Sequence, residues 1–364
     1  MKLASFFSGA GGLDKGFERA GFNIVWANEY DSTIWDTHQY NFPNTQLDTR
    51  SITKVESSDI PHVDGIVGGP PCQSWSEAGA RRGIDDKRGQ LFFDYIRILK
   101  EKKPKFFLAE NVSGILDAKH AEAFGNILNE FSNAGYEVSY KLLNANNYDV
   151  PEDRLRVIIV GYLKELNMKF EFPEPQNYKP ILKDAIFNLR LSTPARDKNK
   201  TNGSDLKVPN HEYMTGGFST MYMSRNRVRS WEEPSFTIQA GGRHAPIHPQ
   251  APKMLFVEKN IRIFVPEKQH LYRRLTVREC ARIQTFPDDF IFKYENVADG
   301  YKMVGNAVPV NFAFHLAKKI AEDLKIFDLI GNDSIKESVS YKIEKPQEVP
   351  YVEQEVMEYL ASPF

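Results

Sequence analysis

Apolar residues in the first half of the chain come in short runs with polar, helix-like stretches between them. Residues 3–7, 22–28, 63–68, 105–109, 138–143 and 157–161 are rich in β-branched or aromatic side chains and end at Gly, Pro or Asn. Such runs read as strands. Residues 13–20, 32–40, 91–102 and 121–134 read as helices; Leu91, Phe92, Tyr95, Ile96 and Leu99 recur at the spacing of one helical face. This alternation predicts an α/β fold, a doubly wound and mostly parallel sheet with helices on both faces. The pattern breaks at Phe172-Pro173-Glu174-Pro175-Gln176. From there to about residue 269 the chain reads as irregular loop. Helices are expected again over 273–284 and 308–324. Beyond residue 330 the periodicity fades into a loosely attached tail.

Length and composition narrow the reading. A chain of 364 residues suits a large domain plus a smaller one. Hydrophobic content of 41% and charged content of 26% are ordinary for a globular protein. No stretch approaches the ~18 uninterrupted apolar residues of a membrane span, and the N-terminal residues lack the pattern of a signal peptide. Cys72 and Cys280 are the only cysteines. A disulfide framework is therefore not expected, and a reducing, cytoplasmic setting is.

The net charge of −1 hides an uneven distribution. Residues 328–364 hold three Lys/Arg against eight Asp/Glu, or −5, which leaves +4 for the rest. Residues 171–270 hold fifteen basic against ten acidic residues, or +5. A modest positive field sits in the middle of the chain and an acidic tail ends it.

Several short patterns carry chemistry. Phe7-Ser8-Gly9-Ala10-Gly11-Gly12-Leu13 joins the first strand to the first helix. Closely spaced glycines let backbone approach a ligand, and this position suits a nucleotide-type cofactor. Glu29 ends the second strand, where a carboxylate accepts ribose hydroxyls; Tyr30 beside it can pack on an adenine. The glycine spacing is not G-x-G-x-x-G, which tilts against a nicotinamide dinucleotide. Gly68-Gly69-Pro70-Pro71-Cys72-Gln73-Ser74 follows a strand and brings a thiol to the same sheet edge. The prolines hold that backbone still, as a nucleophile requires. Cys280, on a helix beside Ala281 and Ile283, fits a buried structural role. Residues 105–112 form a strand that delivers Glu110 at its end. Arg154 and Arg156 precede residues 157–161 on one face and can orient a base or phosphate together. No His, Cys, Asp or Glu cluster has metal-ligand spacing, so no metal is expected.

These patterns occur in the order found in one family. Residues 7–12, 69–73, 110–112, 154–156, 278–287 and 305–308 together resemble the motif set of the cytosine-5 DNA methyltransferases, over roughly residues 1–324. The stretch from 223–229 through 248–252 is further similar to the GGCC-specific bacterial enzymes of the HaeIII type. The resemblance implies an S-adenosylmethionine-dependent methyltransferase fold with a smaller, irregular DNA-recognition domain. Residues 1–172 would be the catalytic and cofactor-binding domain, 173–270 the target-recognition domain, 271–327 the return to the catalytic domain, and 328–364 the acidic tail.

It also implies roles. Cys72 would attack carbon 6 of the target cytosine, Glu110 would contact N3, and Arg154 and Arg156 would hold the base and its phosphate. Phe7, Gly9, Gly11, Leu13, Glu29, Tyr30, Pro71, Leu91 and Asn306 would line the site for S-adenosylmethionine. The target would be double-stranded DNA, with a cognate restriction endonuclease acting on the same site. Arg225, Arg227, Arg229 and Arg243 suit guanine O6 and N7 or phosphates. Two competing readings are a cytosine-5 tRNA methyltransferase and a catalytically inactive DNA-binding regulator. Two positions depart from the family pattern. Ser51-Ile52 stands where an Asp-Ile pair contacts the adenine, with Asp48 three residues earlier. Glu152 stands where Gln is favoured.

Overall fold

Strand and helix alternate through the first half of the chain as the apolar periodicity predicts. The structure, a computed structural model, describes residues 1–71, 89–191, 198–200 and 202–333. Strands β1 (Lys2–Phe6), β2 (Asn23–Asn28), β3 (Gln46–Asp48), β4 (Gly65–Gly68), β5 (Phe106–Val112), β6 (Tyr136–Asn144) and β7 (Leu155–Leu163) form one sheet in the order β3-β2-β1-β4-β5-β7-β6. Helices α1 (Gly12–Arg19), α2 (Trp35–Asn41), α3 (Gly89–Lys102) and α4 (Ala121–Asn133) alternate with the strands. Neighbouring strands run parallel except beside β7, which is antiparallel to both β5 and β6. The expectation of a mostly parallel sheet therefore holds. The three-residue β3 carries too little apolar pattern to be read from sequence.

Side-chain alternation builds a core on each face. Leu3, Val67, Phe106, Leu108, Ile158 and Val160 pack on one side with Phe17 of α1. Phe312, Leu316 and Ile320 of α8 (Val310–Asp333) join them there. Ala4, Phe6, Ile66, Phe107, Ala109, Val157 and Ile159 pack on the other side with Phe92, Tyr95 and Leu99 of α3 and Phe124, Ile127 and Phe131 of α4. Each large apolar side chain so buried stabilises the fold by about 1.5–3 kcal/mol. Because the strand period is two, a one-residue slip would send every side chain of a strand into the opposite core.

The expected irregular region contains the short α5 (Leu182–Ile186) and a hairpin of β8 (Leu255–Glu258) and β9 (Ile261–Ile263) that the sequence reading missed. The return segment carries α6 (Val277–Ile283) and α7 (Val297–Asn306). The helix expected from residue 273 starts at Val277, because Thr276 and Glu279 close a capping box there. The helix expected over 308–324 starts after Pro309 and runs on to Asp333.

A third apolar cluster gathers Phe42, Phe286, Phe290, Phe292 and Tyr301 around α6 and α7. A smaller one holds Tyr222, Val228, Ile247, Met254 and Tyr272. The chain divides into a unit of Met1–Leu324 and a second of Lys325–Phe364. The acidic tail lies largely outside the described residues.

Candidate active site at the carboxyl edge of the sheet

Register brings the expected site residues to one edge. Phe6 pairs with Gly68, and Gly68 with Ala109. The glycine turn, Gly69-Pro70-Pro71 and Glu110 therefore leave adjacent strands side by side. Strand β7 runs the other way, so its first residues arrive at that edge as the parallel strands end; Arg156 pairs with Val112. The edge beside a topological switch is where open α/β sheets bind ligands.

The glycine turn is tightly built. Phe7, Gly9 and Gly11 all adopt positive φ, at 51°, 56° and 93°. A Cβ on Gly11 would overlap the Phe42 ring, whereas one on Gly9 would meet nothing within 4 Å. Leu13 turns into the core. The Glu29 carboxylate accepts the Gly9 N–H at 2.9 Å and the Asp31 N–H at 2.8 Å. Burial raises its pKa, against these bonds. Ser8 Oγ is buried with no partner among the described residues. This orphan hydroxyl and the open face at Gly9 fit a polar ligand over the turn. Tyr30 is 72% exposed beside it. Leu91 and Pro71 are half-buried, and Asn306 is exposed at the end of α7.

Ser51 caps a turn, accepting the Thr53 N–H at 3.4 Å, and Ile52 is buried. Asp48 is held by Arg50, whose guanidinium reaches both carboxylate oxygens and Asp59. Neither Asp48 nor Asp59 is a free acceptor there.

Beneath the turn lies a polar network that no motif signalled. Ser5 Oγ donates to Asp14 at 2.5 Å, and His38 Nε2 lies 3.2 Å from the other Asp14 oxygen. All three side chains are fully buried. The His38 ring stacks on Phe42, the ring that abuts Gly11.

On the substrate side, Cys72 lies outside the described residues, but the chain leading to it is held in place. Asn111 Nδ2 donates to Pro70 O at 3.0 Å, and Glu110 Oε2 faces Gly69. Arg156 Nε lies 2.7 Å from Glu110 Oε1, with 12% of each side chain exposed. Arg154 and Arg156, expected to act as a pair, part company. Arg154 is only 1% exposed. Its guanidinium donates to Ile238 O at 3.0 Å and to Gly305 O and Ala307 O at 2.9 Å. Burial lowers its pKa to about 10.

The four arginines expected at DNA also separate. Arg229 pairs with Asp153 and Glu233 and lies over the Phe236 ring. Arg227 donates to Tyr222 O and Met221 O and stacks on Tyr222. Arg225 and Arg243 are exposed, with no hydrogen bond or ion pair among the described residues. Cys280 is fully buried in the apolar cluster around α6, as expected of a structural cysteine.

Among the described residues no cluster of His, Cys, Asp and Glu could hold a metal ion, and no helix is long and apolar enough to cross a membrane.

A doubly wound sheet that gathers a glycine turn, the buried Glu29 carboxylate and the Glu110–Arg156 pair at one edge has the architecture in which α/β proteins bind a ligand there. The chain belongs to the C-5 cytosine-specific DNA methylase family, whose sequence pattern it matches over residues 1–322. It is accordingly a DNA (cytosine-5)-methyltransferase. It is 60% identical over 325 residues to the type II methyltransferase M.MthTI of Methanothermobacter thermautotrophicus, covering 89% of this chain and 98% of that protein. It is 58% identical over 328 residues to the type II methyltransferase M.FnuDI of Fusobacterium nucleatum, covering 89% and 95%. Among solved structures, the Entamoeba histolytica methyltransferase EhMeth superimposes with a TM-score of 0.65 at 17% identity, over 89% of this chain and 98% of that one. That likeness concerns the fold.

Proposed function

We propose that the protein transfers a methyl group from S-adenosylmethionine to carbon 5 of a cytosine within GGCC in double-stranded DNA, as the modification enzyme of a restriction-modification system. The observation that carries this reading is the Glu110–Arg156 pair beside Gly69 and Pro70, three and two positions before Cys72. Residues 1–172 and 271–327 serve as the catalytic domain and 173–270 as the target-recognition domain. The two type II relatives support the assignment to a modification system. GGCC rests on the resemblance of residues 223–252 to the HaeIII type.

Carbon 5 of cytosine is a weak nucleophile. The Cys72 thiolate adds to carbon 6, the ring electrons shift toward N3, and carbon 5 becomes enamine-like. Glu110 contacts N3 and stabilises the adduct; Arg156 fixes the Glu110 carboxyl and lies within reach of the base. When bound, S-adenosylmethionine supplies an electrophilic methyl on its sulfonium. Glu29, the glycine turn, Tyr30, Pro71, Leu91 and Asn306 would hold it. Loss of the carbon-5 proton to a base then expels the thiolate and restores the ring. A stacked base is out of reach, so the cytosine is extruded at a cost of a few kcal/mol. DNA contacts from Arg225 and Arg243 help to offset it.

Bisulfite sequencing of a plasmid treated with the protein and S-adenosylmethionine tests this. Protected cytosines at GGCC are expected. Protection in another context overturns the target. Methylation of tRNA but not duplex DNA in a parallel assay overturns the substrate.

A further inference from the structure

Glu152 and Arg154 sit where three segments of the chain meet. Both side chains are buried, at 0% and 1% exposure. Glu152 Oε1 accepts the Ile238 N–H at 2.6 Å and lies 3.4 Å from Arg154 Nη1. The Arg154 guanidinium bonds Ile238 O on one side and Gly305 O and Ala307 O on the other. Those last two carbonyls flank Asn306. Ile238 lies in the segment that leads from Arg229 to Arg243.

The backbone around the pair is equally joined. Glu152 forms a parallel bridge with Ser235. Asp153 N donates to Ser235 O, Ser235 N to Pro151 O, and Thr237 Oγ1 to Asp153 O. A Cβ on Gly305 would overlap the Gln239–Ala240 backbone. Two residues beyond Arg154, Arg156 reaches Glu110.

One guanidinium thus ties carbonyls of the cofactor-side turn to a carbonyl of the recognition segment. A buried charge network tolerates partial breakage badly, since a charge left alone in the interior is expensive. The turn at 305–307 and the segment at 235–240 therefore cannot shift independently. The carboxylate at 152 supplies the countercharge. Burial pulls the Arg154 pKa down to about 10 and raises that of Glu152, each opposed by the partner's charge.

We infer that Glu152 and Arg154 do not touch the target cytosine but are positioning residues that make cofactor binding and duplex recognition reinforce each other. The inference rests on the proposed DNA and cofactor sites. A ligand that orders residues 305–307 fixes the carbonyls that hold Arg154, and Arg154 then fixes residues 235–240 for the second ligand.

Isothermal titration of the full chain measures this. S-adenosylhomocysteine and a GGCC duplex are each titrated alone and with the other saturating. In the parent, each ligand tightens the other by the same factor, about 10-fold or more. In Glu152→Gln/Arg154→Met, which removes both charges together, that factor falls below about 2-fold. Arg154→Lys keeps the charge without the planar fork and loses most of the coupling; it answers the question if the double variant does not fold. Parental coupling in a folded variant, or no coupling in the parent, overturns the inference. Full coupling with a duplex lacking GGCC would instead overturn the target assignment and leave the clamp standing.

Discussion

Arg156 Nε and Glu110 Oε1 stand 2.7 Å apart across the antiparallel β5–β7 pair, one on each strand. Neither side chain can shift without disturbing the other. Glu110→Gln is expected to slow methylation about 10²–10³-fold while duplex binding persists. Arg156→Ala should slow it comparably. The double variant should be little slower than the worse single one, because the two act as a unit. Single-turnover rates check this; multiplicative losses would show that they act separately.

Cys72→Ser should abolish measurable turnover, since a hydroxyl is a far weaker nucleophile at neutral pH. The parent should form a denaturation-resistant complex with 5-fluorocytosine duplex, and the variant none. A Cys72→Ser protein as fast as the parent would remove the covalent mechanism.

Arg225 and Arg243 are exposed and have no hydrogen bond or ion pair among the described residues, whereas Arg227 and Arg229 are held by neighbours. Alanine at 225 or 243 should relax discrimination among single-base variants of GGCC by about 1–3 kcal/mol where a guanine contact is lost. Alanine at 229 should lower the melting temperature and weaken all duplexes alike. Competition binding with a panel of duplexes separates the outcomes. Uniform weakening at all four positions would argue against base readout.

Gly9 and Gly11 share positive φ but not surroundings. Gly11→Ala forces a methyl into the Phe42 ring, so stability and cofactor affinity should both fall. Gly9→Ala points into open space. It should cost stability only about 1–2 kcal/mol of backbone strain while weakening S-adenosylhomocysteine about 10-fold or more. Calorimetry and thermal melts give both readouts. Unchanged affinity in Gly9→Ala would place the cofactor elsewhere.

Acid should weaken the joint between residues 211–248 and α6. Burial lowers the pKa of His248 to about 4 and also lowers that of His211. Both rings take up protons less readily in the fold than in the unfolded chain, whose histidines charge below about 6.5. Stability therefore falls as pH drops from 6.5 toward 4.5. Burial opposes the Glu279 charge, but the Arg273 fork overrides it and holds the pKa at about 2. Its contribution is complete above about 4.5 and is lost as pH falls toward 2. Melting temperature against pH should steepen below 6.5, and His248→Gln should flatten the slope between 6.5 and 4.5. An unchanged slope would show that His248 titrates normally.

Much of the architecture could be read from spacing, because strand and helix periods are local properties of a chain. Leu3 and Ala4 alternate between two cores, and Leu91 to Leu99 mark one helix face, whatever surrounds them. The glycine turn and Glu29 were visible for the same reason. What escaped were two short local features, the β8–β9 hairpin and the Thr276–Glu279 cap, and two made by distant partners, β3 and the Ser5–Asp14–His38 network. His38 sits in an unremarkable stretch, and only packing brings it to Asp14.

The arginines show where that boundary lies. Their pairing at 154 and 156 follows from the order of residues, as does their charge. That Arg156 meets Glu110 and Arg154 is buried among carbonyls of residues 238, 305 and 307 follows from the reversed direction of β7 and from two segments returning more than eighty positions later. Likewise, four arginines in a basic stretch look alike in the sequence, and neighbouring carboxylates, carbonyls and rings decide which two are held among the described residues. A guanidinium has the same chemistry everywhere; which acceptors lie within about 3 Å of it is settled only when the chain closes on itself.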